Sequence, residues 1–243
     1  MNKYNYSEHF KRYHSDTEID SQPRTQWLAT LLAPLLPPSK HARVLDIGCG
    51  FGFALSALKK LGYDNVMGLE LSPDQAAVAR GAGHDVVVTE DSVAWMKASP
   101  DSFDFIILLD VLEHIPVGSQ IEFCAVVKNA LRLGGKVLIE VPNANSILAA
   151  RWRYIDYTHC CSFTEDSLIF VLRSSGFEDI QFHVEKGLGR FPRRIWRRSN
   201  WPAIRKWIVR WCWLQVFKAE VPFQNIEEIS FELNLRAMAG KNA

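Results

Sequence analysis

The feature that most constrains the fold is a regular alternation of short apolar segments and helical patterns that begins near residue 43. Apolar segments that read as strands occupy residues 43–47, 65–71, 85–89, 103–109, 136–141, 177–184 and 229–237. The fourth, Phe-Asp-Phe-Ile-Ile-Leu-Leu, is apolar on both faces, as a central parallel strand is when helices cover both sides of its sheet. The alternation predicts an α/β fold with a doubly wound, mostly parallel, seven-stranded sheet.

Helical patterns fill most of the intervals between these strands. The predicted helices cover residues 25–36, 53–61, a segment from Pro73, 120–133 and 164–175, and residues 143–163 are predicted to form a long loop. Pro37-Pro38 ends the first helix because proline cannot continue one, and Ser72-Pro73 has the order of a cap followed by a first-turn proline.

A break in composition marks the C-terminal third of the chain. Between Lys186 and Lys218 there are ten basic residues and no acid, together with five of the eight tryptophans, whereas the rest of the chain has a net charge of about −9. Such a break indicates a separate module, and its place before the last strand predicts an insertion within one domain. The predicted parts are an N-terminal segment or lid (1–38), a core (39–187), a basic aromatic insertion (188–224) and a final strand (225–243).

Composition also bears on the compartment. No apolar stretch reaches the roughly 18 residues that a spanning helix requires, and the polar start lacks the apolar core of a signal peptide. The five cysteines are odd in number and show no CxxC spacing. These observations predict a reducing, cytoplasmic protein.

Three alternate glycines, Gly48, Gly50 and Gly52, lie between the first strand and the helix that follows it. Glycine lets the backbone turn sharply and lets a ligand approach the main chain. Glu70, at the end of the next strand, stands 22 residues after Gly48, a spacing that suits a carboxylate accepting the hydroxyls of a ribose. The pattern predicts a site for a nucleoside-bearing cofactor.

The form Asp-x-Gly-x-Gly-x-Gly, from Asp46, resembles motif I of class I S-adenosylmethionine-dependent methyltransferases. It fits the G-x-G-x-x-G of nicotinamide enzymes less well, because position 53 is Phe. The resemblance spans residues 43–143 and includes Asp110-Val-Leu-Glu-His114 after the fourth strand and Leu131-Arg-Leu-Gly-Gly135 before the fifth. It implies S-adenosylmethionine as the cofactor, Glu70 at the ribose and Asp91-Ser92 at the adenine. The cofactor residues that it implies are Asp46, Gly48, Cys49, Gly50, Gly52, Glu70, Leu71, Asp91, Ser92, Leu109 and Asp110, with Cys49 chiefly a small space-filling residue.

The reaction that this resemblance implies is an in-line displacement at an activated methyl carbon. The protein must align nucleophile, methyl and sulfur, and it must supply a base if the nucleophile has to lose a proton. His114, just past the fourth strand, is placed at the carboxyl edge of the sheet, where open α/β folds bind ligands. It is predicted to be a base or an acceptor-positioning residue, and the alternative is a structural histidine that lines the cofactor pocket.

A second candidate is the segment from Arg153 to His159, followed by Phe163-Thr164. It resembles the R-Y-x-D-x-T-H…F-T segment of methyltransferases encoded with bacterial O-antigen and other surface-polysaccharide genes. Asp156 and His159 are predicted to be an orienting carboxylate and a base, which suits a sugar hydroxyl that must lose its proton. The alternative is that both only brace the loop. In the family an acid often follows the histidine, whereas Cys160-Cys161 follow it here.

No metal ion is predicted. Asp110, Glu113, Asp156 and His159 carry the side chains of a divalent site, but nothing in the sequence fixes their geometry. A zinc site at His159-Cys160-Cys161 lacks further ligands at suitable spacing.

Two segments leave alternatives open. The stretch 190–218 combines arginines with tryptophans, which suits an anionic membrane surface, a cap or partner contact over the acceptor site, or, least well, nucleic acid. Its helical stripe is Ile204, Trp207, Ile208, Trp211 and Leu214, with Val209, Trp213 and Phe217 on the other side. The N-terminal aromatic residues are predicted to form a lid over the cofactor or a disordered tail; they are Tyr4, Tyr6, His9, Phe10 and Tyr13.

The function predicted is an S-adenosylmethionine-dependent O-methyltransferase that acts on a sugar of a bacterial surface polysaccharide or on its lipid- or nucleotide-linked precursor. A small quinone precursor is an alternative acceptor, because the segment from Asp110 to His114 also resembles ubiquinone-pathway O-methyltransferases. A catalytically silent cofactor-binding scaffold of a glycan-assembly complex is an alternative from another class. The charge of about −9 outside the insertion argues against RNA. The predicted location is cytoplasmic, with peripheral contact at the inner face of the cytoplasmic membrane, and no oligomeric state is predicted.

Overall fold

The fold is built on one seven-stranded sheet in the described part of the chain. The structure, a computed structural model, describes residues 18–192, 195–221 and 228–242. The strands are β1 (Val44–Ile47), β2 (Val66–Glu70), β3 (Asp85–Val88), β4 (Phe103–Leu109), β5 (Leu131–Pro142), β6 (Ile180–Phe182) and β7 (Asn234–Gly240). Their order across the sheet is β3-β2-β1-β4-β5-β7-β6. The strands β1 to β5 are parallel, and β7 runs antiparallel to both β5 and β6. The predicted fold class is confirmed.

Helices cover both faces of this sheet. They are α1 (Glu18–Leu32), α2 (Phe53–Lys60), α3 (Pro73–Gly81), α4 (Ser92–Lys97), α5 (Gln120–Ala130), α6 (Ala149–Ile155), α7 (Glu165–Ser174) and α8 (Trp201–Glu220). Ser72 caps α3 and Pro73 opens it, as the sequence predicts. Thr164 caps α7, accepting a hydrogen bond from the Ser167 N–H while the Ser167 hydroxyl accepts one from the Thr164 N–H. Each cap satisfies N–H groups that the first helical turn cannot pair internally.

The core lies in two layers, one on each side of the sheet. Successive side chains of a strand point to opposite faces, so Ile106 and Leu108 of β4 join one apolar cluster and Phe105 and Ile107 join the other. All four are buried. This explains why β4 is apolar throughout.

Several predicted boundaries differ from the observed ones. The first helix covers Glu18–Leu32 rather than 25–36, and it packs Leu28 and Leu32 into the core. Pro23 lies inside it and removes one helix hydrogen bond, which the apolar burial offsets. The predicted loop 143–163 contains α6, α5 ends at Ala130 instead of 133, and the last strand is shifted to Asn234–Gly240. The predicted N-terminal lid aromatics lie outside the described residues.

The basic aromatic insertion contributes α8, between β6 and β7, as predicted. Its inner face is tied to the core: the Trp213 indole N–H donates to the Asn145 carbonyl at 2.9 Å, and the rings of Phe217 and Phe231 lie 5.7 Å apart. The outer face exposes large apolar side chains at Trp201, Ile208, Val209, Trp211 and Val216. No helix in the described ranges is both long and apolar enough to cross a membrane.

One basic residue of the insertion is not part of its surface. Arg210 is only 6% exposed, and its guanidinium lies 3.1 Å from the carboxylate of Glu185 and 3.7 Å from that of Glu232. A buried cation requires such acidic partners, so Arg210 anchors α8 rather than offering charge to a partner. Arg193 and Arg194 lie outside the described residues. The boundaries of the four predicted parts stay a prediction.

Candidate active site

The site lies at the carboxyl edge of the parallel strands. The strand order reverses between β1 and β4, and open α/β sheets bind ligands in the crevice at such a point. The loops that follow these two strands touch there: a Cβ placed on Gly48 would lie 2.8 Å from Cγ2 of Val111. The structure therefore brings the glycine loop against the segment that leads to His114.

The glycine loop needs its glycines for backbone conformation as well as for space. Gly48 and Gly52 have φ angles of 70° and 81°, in the left-handed region that other residues avoid. A Cβ on Gly52 would also lie 3.0 Å from both Ala79 and His84. The loop is thus closely packed between β1 and α3.

Glu70 fastens this loop to the end of β2. Its carboxylate is buried and accepts hydrogen bonds from the Gly50 N–H at 2.7 Å and the Ser72 N–H at 2.8 Å, one on each oxygen. Each carboxylate oxygen has a second lone pair, so both can accept a further hydrogen bond. This geometry fits the predicted ribose contact.

Asp46 is a buried acid with an unmet oxygen. It is 3% exposed, and its Oδ2 has no hydrogen-bond partner among the described residues. Burial, and secondly the nearby Glu70, raises the pKa of Asp46 to about 8. A cation placed here would relieve the cost of an unpaired buried carboxylate, so the ammonium of the predicted cofactor fits the site.

Cys49 fills space beneath the loop. A Cβ on Gly68 of β2 would lie 2.5 Å from the Cys49 sulfur, and burial raises the pKa of the Cys49 thiol far above its ordinary value. A thiol in this state is chemically inert, as expected of a space-filling residue.

The remaining predicted cofactor residues follow the neighbouring strands at the same edge. Asp91 uses one carboxylate oxygen to cap α4, accepting from the Ala94 N–H at 2.8 Å, and Ser92 is the first residue of that helix. Leu71 is 62% exposed directly after Glu70. Their contacts with adenine stay a prediction.

Leu109 ends β4, and Asp110 follows it in a left-handed conformation with φ 55°. The Asp110 N–H donates to the Glu140 carbonyl at 3.1 Å, which holds this turn against β5. Arg24 of α1 lies near both acids, which act electrostatically on its guanidinium. Arg24 is not among the predicted site residues, because α1 carries no motif that points to the site.

The two histidine candidates are neighbours. The rings of His114 and His159 pack edge to face with centroids 4.7 Å apart. The loop carrying His159 is tied down by the Cys160 N–H, which donates to the Glu113 carbonyl at 2.6 Å. The structure thus joins two segments that the sequence treats as separate candidates.

The Nδ1 atom of each ring has a defined partner. Nδ1 of His159 lies 2.9 Å from the Trp152 carbonyl, which can only accept, so Nδ1 carries the proton there. Nδ1 of His114 lies 2.8 Å from the Thr158 hydroxyl, which in turn donates to Asp156 at 2.6 Å. The hydroxyl has one hydrogen, so it accepts from His114. Asp156 therefore orients His114 through Thr158, a residue that the sequence analysis did not single out. The predicted pairing of Asp156 with His159 stays a prediction.

Glu113 lies beside the histidines and is fully buried. Neither of its carboxylate oxygens has a hydrogen-bond partner among the described residues. Burial raises the pKa of Glu113 well above its ordinary value, and Asp110 raises it further. One potential ligand atom from each of Glu113, His114 and His159 lies within 4.8 Å of the other two.

Comparison with known proteins identifies the family. A family model described as "Methyltransferase domain" matches residues 20–182, which is well over half of the chain. A solved structure of an S-adenosylmethionine-dependent methyltransferase from Archaeoglobus fulgidus superposes with a TM-score of 0.68 at 22% identity, covering 98% of this chain and 100% of that one.

Two curated relatives differ in what they act on. A tRNA U34 carboxymethyltransferase from Shewanella pealeana is 28% identical over 174 residues, which is 68% of this chain and 52% of the relative. The chain thus spans about half the length of that protein. A ubiquinone biosynthesis O-methyltransferase from Cereibacter sphaeroides is 28% identical over 177 residues, which is 67% of this chain and 70% of the relative.

Proposed function

The chain belongs to the methyltransferase-domain family and has the fold of S-adenosylmethionine-dependent methyltransferases, and from this premise we propose that it transfers a methyl group to a hydroxyl oxygen. One observation carries the proposal. The glycine loop, with Asp46 and Glu70, lies against the segment that bears His114 and its neighbour His159, at one edge of the sheet. This proximity supports a crevice that binds the cofactor on one side and carries the proton-accepting groups on the other.

The cofactor side of this crevice holds and orients S-adenosylmethionine. When bound, the cofactor supplies a methyl group already activated on a sulfonium. Asp46 meets its ammonium, and ionises as it does so, because a cation favours the charged form of a carboxyl. Glu70 accepts the ribose hydroxyls with the lone pairs that Gly50 and Ser72 leave. Asp46 and Glu70 would thus hold two ends of the cofactor, and such positioning is what an in-line displacement requires.

The histidine pair prepares the acceptor. In each ring Nδ1 carries the proton and donates it to an oxygen, the Thr158 hydroxyl for His114 and the Trp152 carbonyl for His159. The basic nitrogen of each ring is therefore Nε2. A positioned imidazole that takes the hydroxyl proton during transfer contributes about 10²–10⁴-fold in rate. His159 is proposed as the base. His114, which Asp156 orients through Thr158, is proposed to position the acceptor hydroxyl.

The acceptor proposed is a sugar hydroxyl of a bacterial surface polysaccharide or of its lipid- or nucleotide-linked precursor. It is supported by the resemblance of the segment from Arg153 to His159 to methyltransferases encoded with surface-polysaccharide genes. Two aromatic side chains on that segment, Tyr154 (77% exposed) and Tyr157 (93%), also support it. An aromatic ring that is open to solvent on this loop is available to pack against a sugar ring. A quinone precursor is the second candidate, favoured by the length over which the Cereibacter ubiquinone O-methyltransferase aligns.

Contact with a membrane surface is proposed for the basic aromatic insertion. Trp196, Trp201 and Trp211 are exposed, and exposed arginines stand next to them at positions 197, 198 and 205. Tryptophan favours the lipid interface and arginine favours anionic headgroups. A lipid-linked acceptor would be presented at that surface.

The test begins with binding and ends with turnover. Calorimetry should show S-adenosylhomocysteine bound to the full chain, and binding of NADH without it would contradict the cofactor assignment. Extracted lipid-linked glycan and a quinone precursor should then be offered with labelled cofactor, and mass spectrometry should find one added methyl group on the glycan. Methylation of the quinone precursor alone would select the second candidate. Cofactor binding with no turnover on either would favour the scaffold alternative.

A further inference from the structure

Glu113 is the least explained side chain of the site. It is fully buried, and neither of its oxygens finds a hydrogen-bond donor among the described residues. Buried carboxyl groups are normally hydrogen-bonded or paired, because burying one without a partner is costly even when it is protonated. The methyl-transfer scheme gives Glu113 no task, so its retention beside two imidazoles calls for another partner.

We propose that Glu113, His114 and His159 bind a divalent transition-metal ion that holds the acceptor hydroxyl. One potential ligand atom of each residue lies within 4.8 Å of the other two. In a tetrahedral site with bonds of about 2.0–2.1 Å, ligand atoms stand roughly 3.3 Å apart, so modest side-chain rotation closes the site. Two imidazoles and one carboxylate favour an ion such as Zn²⁺ or Mn²⁺ over the oxygen-seeking Ca²⁺.

The surroundings of the two imidazoles are those of metal ligands. A ligating histidine almost always gives its other N–H to a carbonyl or a carboxylate, which fixes the ring and strengthens it as a ligand. Here the Trp152 carbonyl receives Nδ1 of His159, and the Thr158–Asp156 pair receives Nδ1 of His114. Nε2 is then the nitrogen through which either ring ligates the ion.

Three protein ligands leave a position open for substrate. When the acceptor hydroxyl occupies that position, the metal ion lowers the pKa of the hydroxyl, as it lowers the pKa of bound water. The acceptor O–H loses its proton to water, its oxygen forms a bond to the methyl carbon, and the carbon–sulfur bond breaks with the electron pair left on sulfur. The products are a methyl ether, a thioether and one proton.

This inference rests on the proposed function and revises one part of it. With the ion bound, His114 and His159 act as ligands and no longer as the base. It also departs from the prediction, made from sequence, that there is no metal site, because spacing along the chain identifies possible ligands but not the distances between them.

The experiment measures metal binding apart from catalysis. The full chain is stripped with EDTA, freed of chelator and titrated calorimetrically with ZnCl₂ and with MnCl₂, and CoCl₂ serves as a visible absorption probe of nitrogen ligation. We expect one ion per chain. Glu113→Gln and His159→Ala should each raise the dissociation constant by about 100-fold or more, beyond the about 10–100-fold that loss of an outer partner costs. Thr158→Val keeps the side-chain shape but removes the hydroxyl that joins His114 to Asp156, so it should raise the dissociation constant by about 10–100-fold.

His41→Ala is the matched control, since His41 is an exposed histidine that contacts Asp64 at 2.7 Å and precedes β1, at the end of the strand opposite the glycine loop, and its loss should leave metal binding unchanged. Thermal melts of each stripped variant show whether it folds. No stoichiometric binding by the wild-type chain, or wild-type affinity in both Glu113→Gln and His159→Ala, would overturn the metal site. Turnover that stays the same in the stripped chain would overturn its catalytic role. Binding of S-adenosylhomocysteine to the same stripped chain is measured in parallel, and its loss would count against the proposed function instead.

Discussion

Glu70 gives the sharpest test of the cofactor site, because one carboxylate both fastens the glycine loop and is assigned the ribose. It accepts from the Gly50 and Ser72 N–H groups at 2.7 and 2.8 Å in a buried setting. A hydrogen bond to a charged group contributes about 1.5–3 kcal/mol. Glu70→Gln removes the charge and turns an NH₂ group towards one of the two donors. We therefore expect the free energy of unfolding to fall by about 1.5–3 kcal/mol.

The same substitution should weaken cofactor binding by a similar free energy, because the ribose hydroxyls lose a charged acceptor. At about 1.4 kcal/mol per factor of ten, the dissociation constant of S-adenosylhomocysteine should rise roughly 10- to 150-fold. Glu70→Ala, which also frees both N–H groups of the loop, should lower stability further.

Chemical denaturation measures the stability and calorimetry measures the affinity of the same samples. Glu90→Gln is the matched control, since Glu90 is an exposed acid that follows the next strand of the sheet, and both quantities should stay unchanged. A folded Glu70→Gln chain that is less stable but binds S-adenosylhomocysteine with wild-type affinity would refute the ribose assignment and leave Glu70 a purely structural residue.

Three further predictions follow from the described geometry. His159→Ala should lower turnover by about 10²–10⁴-fold with cofactor affinity nearly intact; a loss seen in His114→Ala but not in His159→Ala, in steady-state assays, would make His159 structural. The folded chain holds the Asp46 proton up to about pH 8, whereas the unfolded chain releases it near its ordinary value, so the free energy of unfolding should fall as the pH rises from about 4 to 8. Asp46→Asn should flatten that fall in melting temperatures taken across the range, and an unaltered slope would contradict the assignment. Binding to anionic vesicles should weaken but persist at high salt. Changing Arg197 and Arg198 to glutamate should release the chain from the vesicles, whereas the same change at the two lysines that end α2 should not. If the wild-type chain does not cosediment with vesicles under any of these conditions, the cap or partner role is favoured.

The sequence determined the frame of this protein. The sheet and most of its helices follow from local periodicity, and the place of the insertion follows from the break in composition, both of which lie in the side chains of each segment. The glycine loop and Glu70 could be assigned for a related reason: parallel strands end at one edge, so residues that follow them are brought together whatever the detail of packing. The cofactor roles of these residues stay a prediction.

Only the tertiary structure decided which side chains meet across loops. His114 and Thr158 are 44 residues apart, and their hydrogen bond depends on how the segment around α6 folds back on the turn after β4. The same holds for Arg210, which composition assigned to a basic surface and which packing buries between Glu185 and Glu232. Spacing along a chain limits which residues can approach, but the distances between side chains are set by the packing of elements that are remote in sequence, and the chemistry of Glu113 beside two imidazoles depends on those distances.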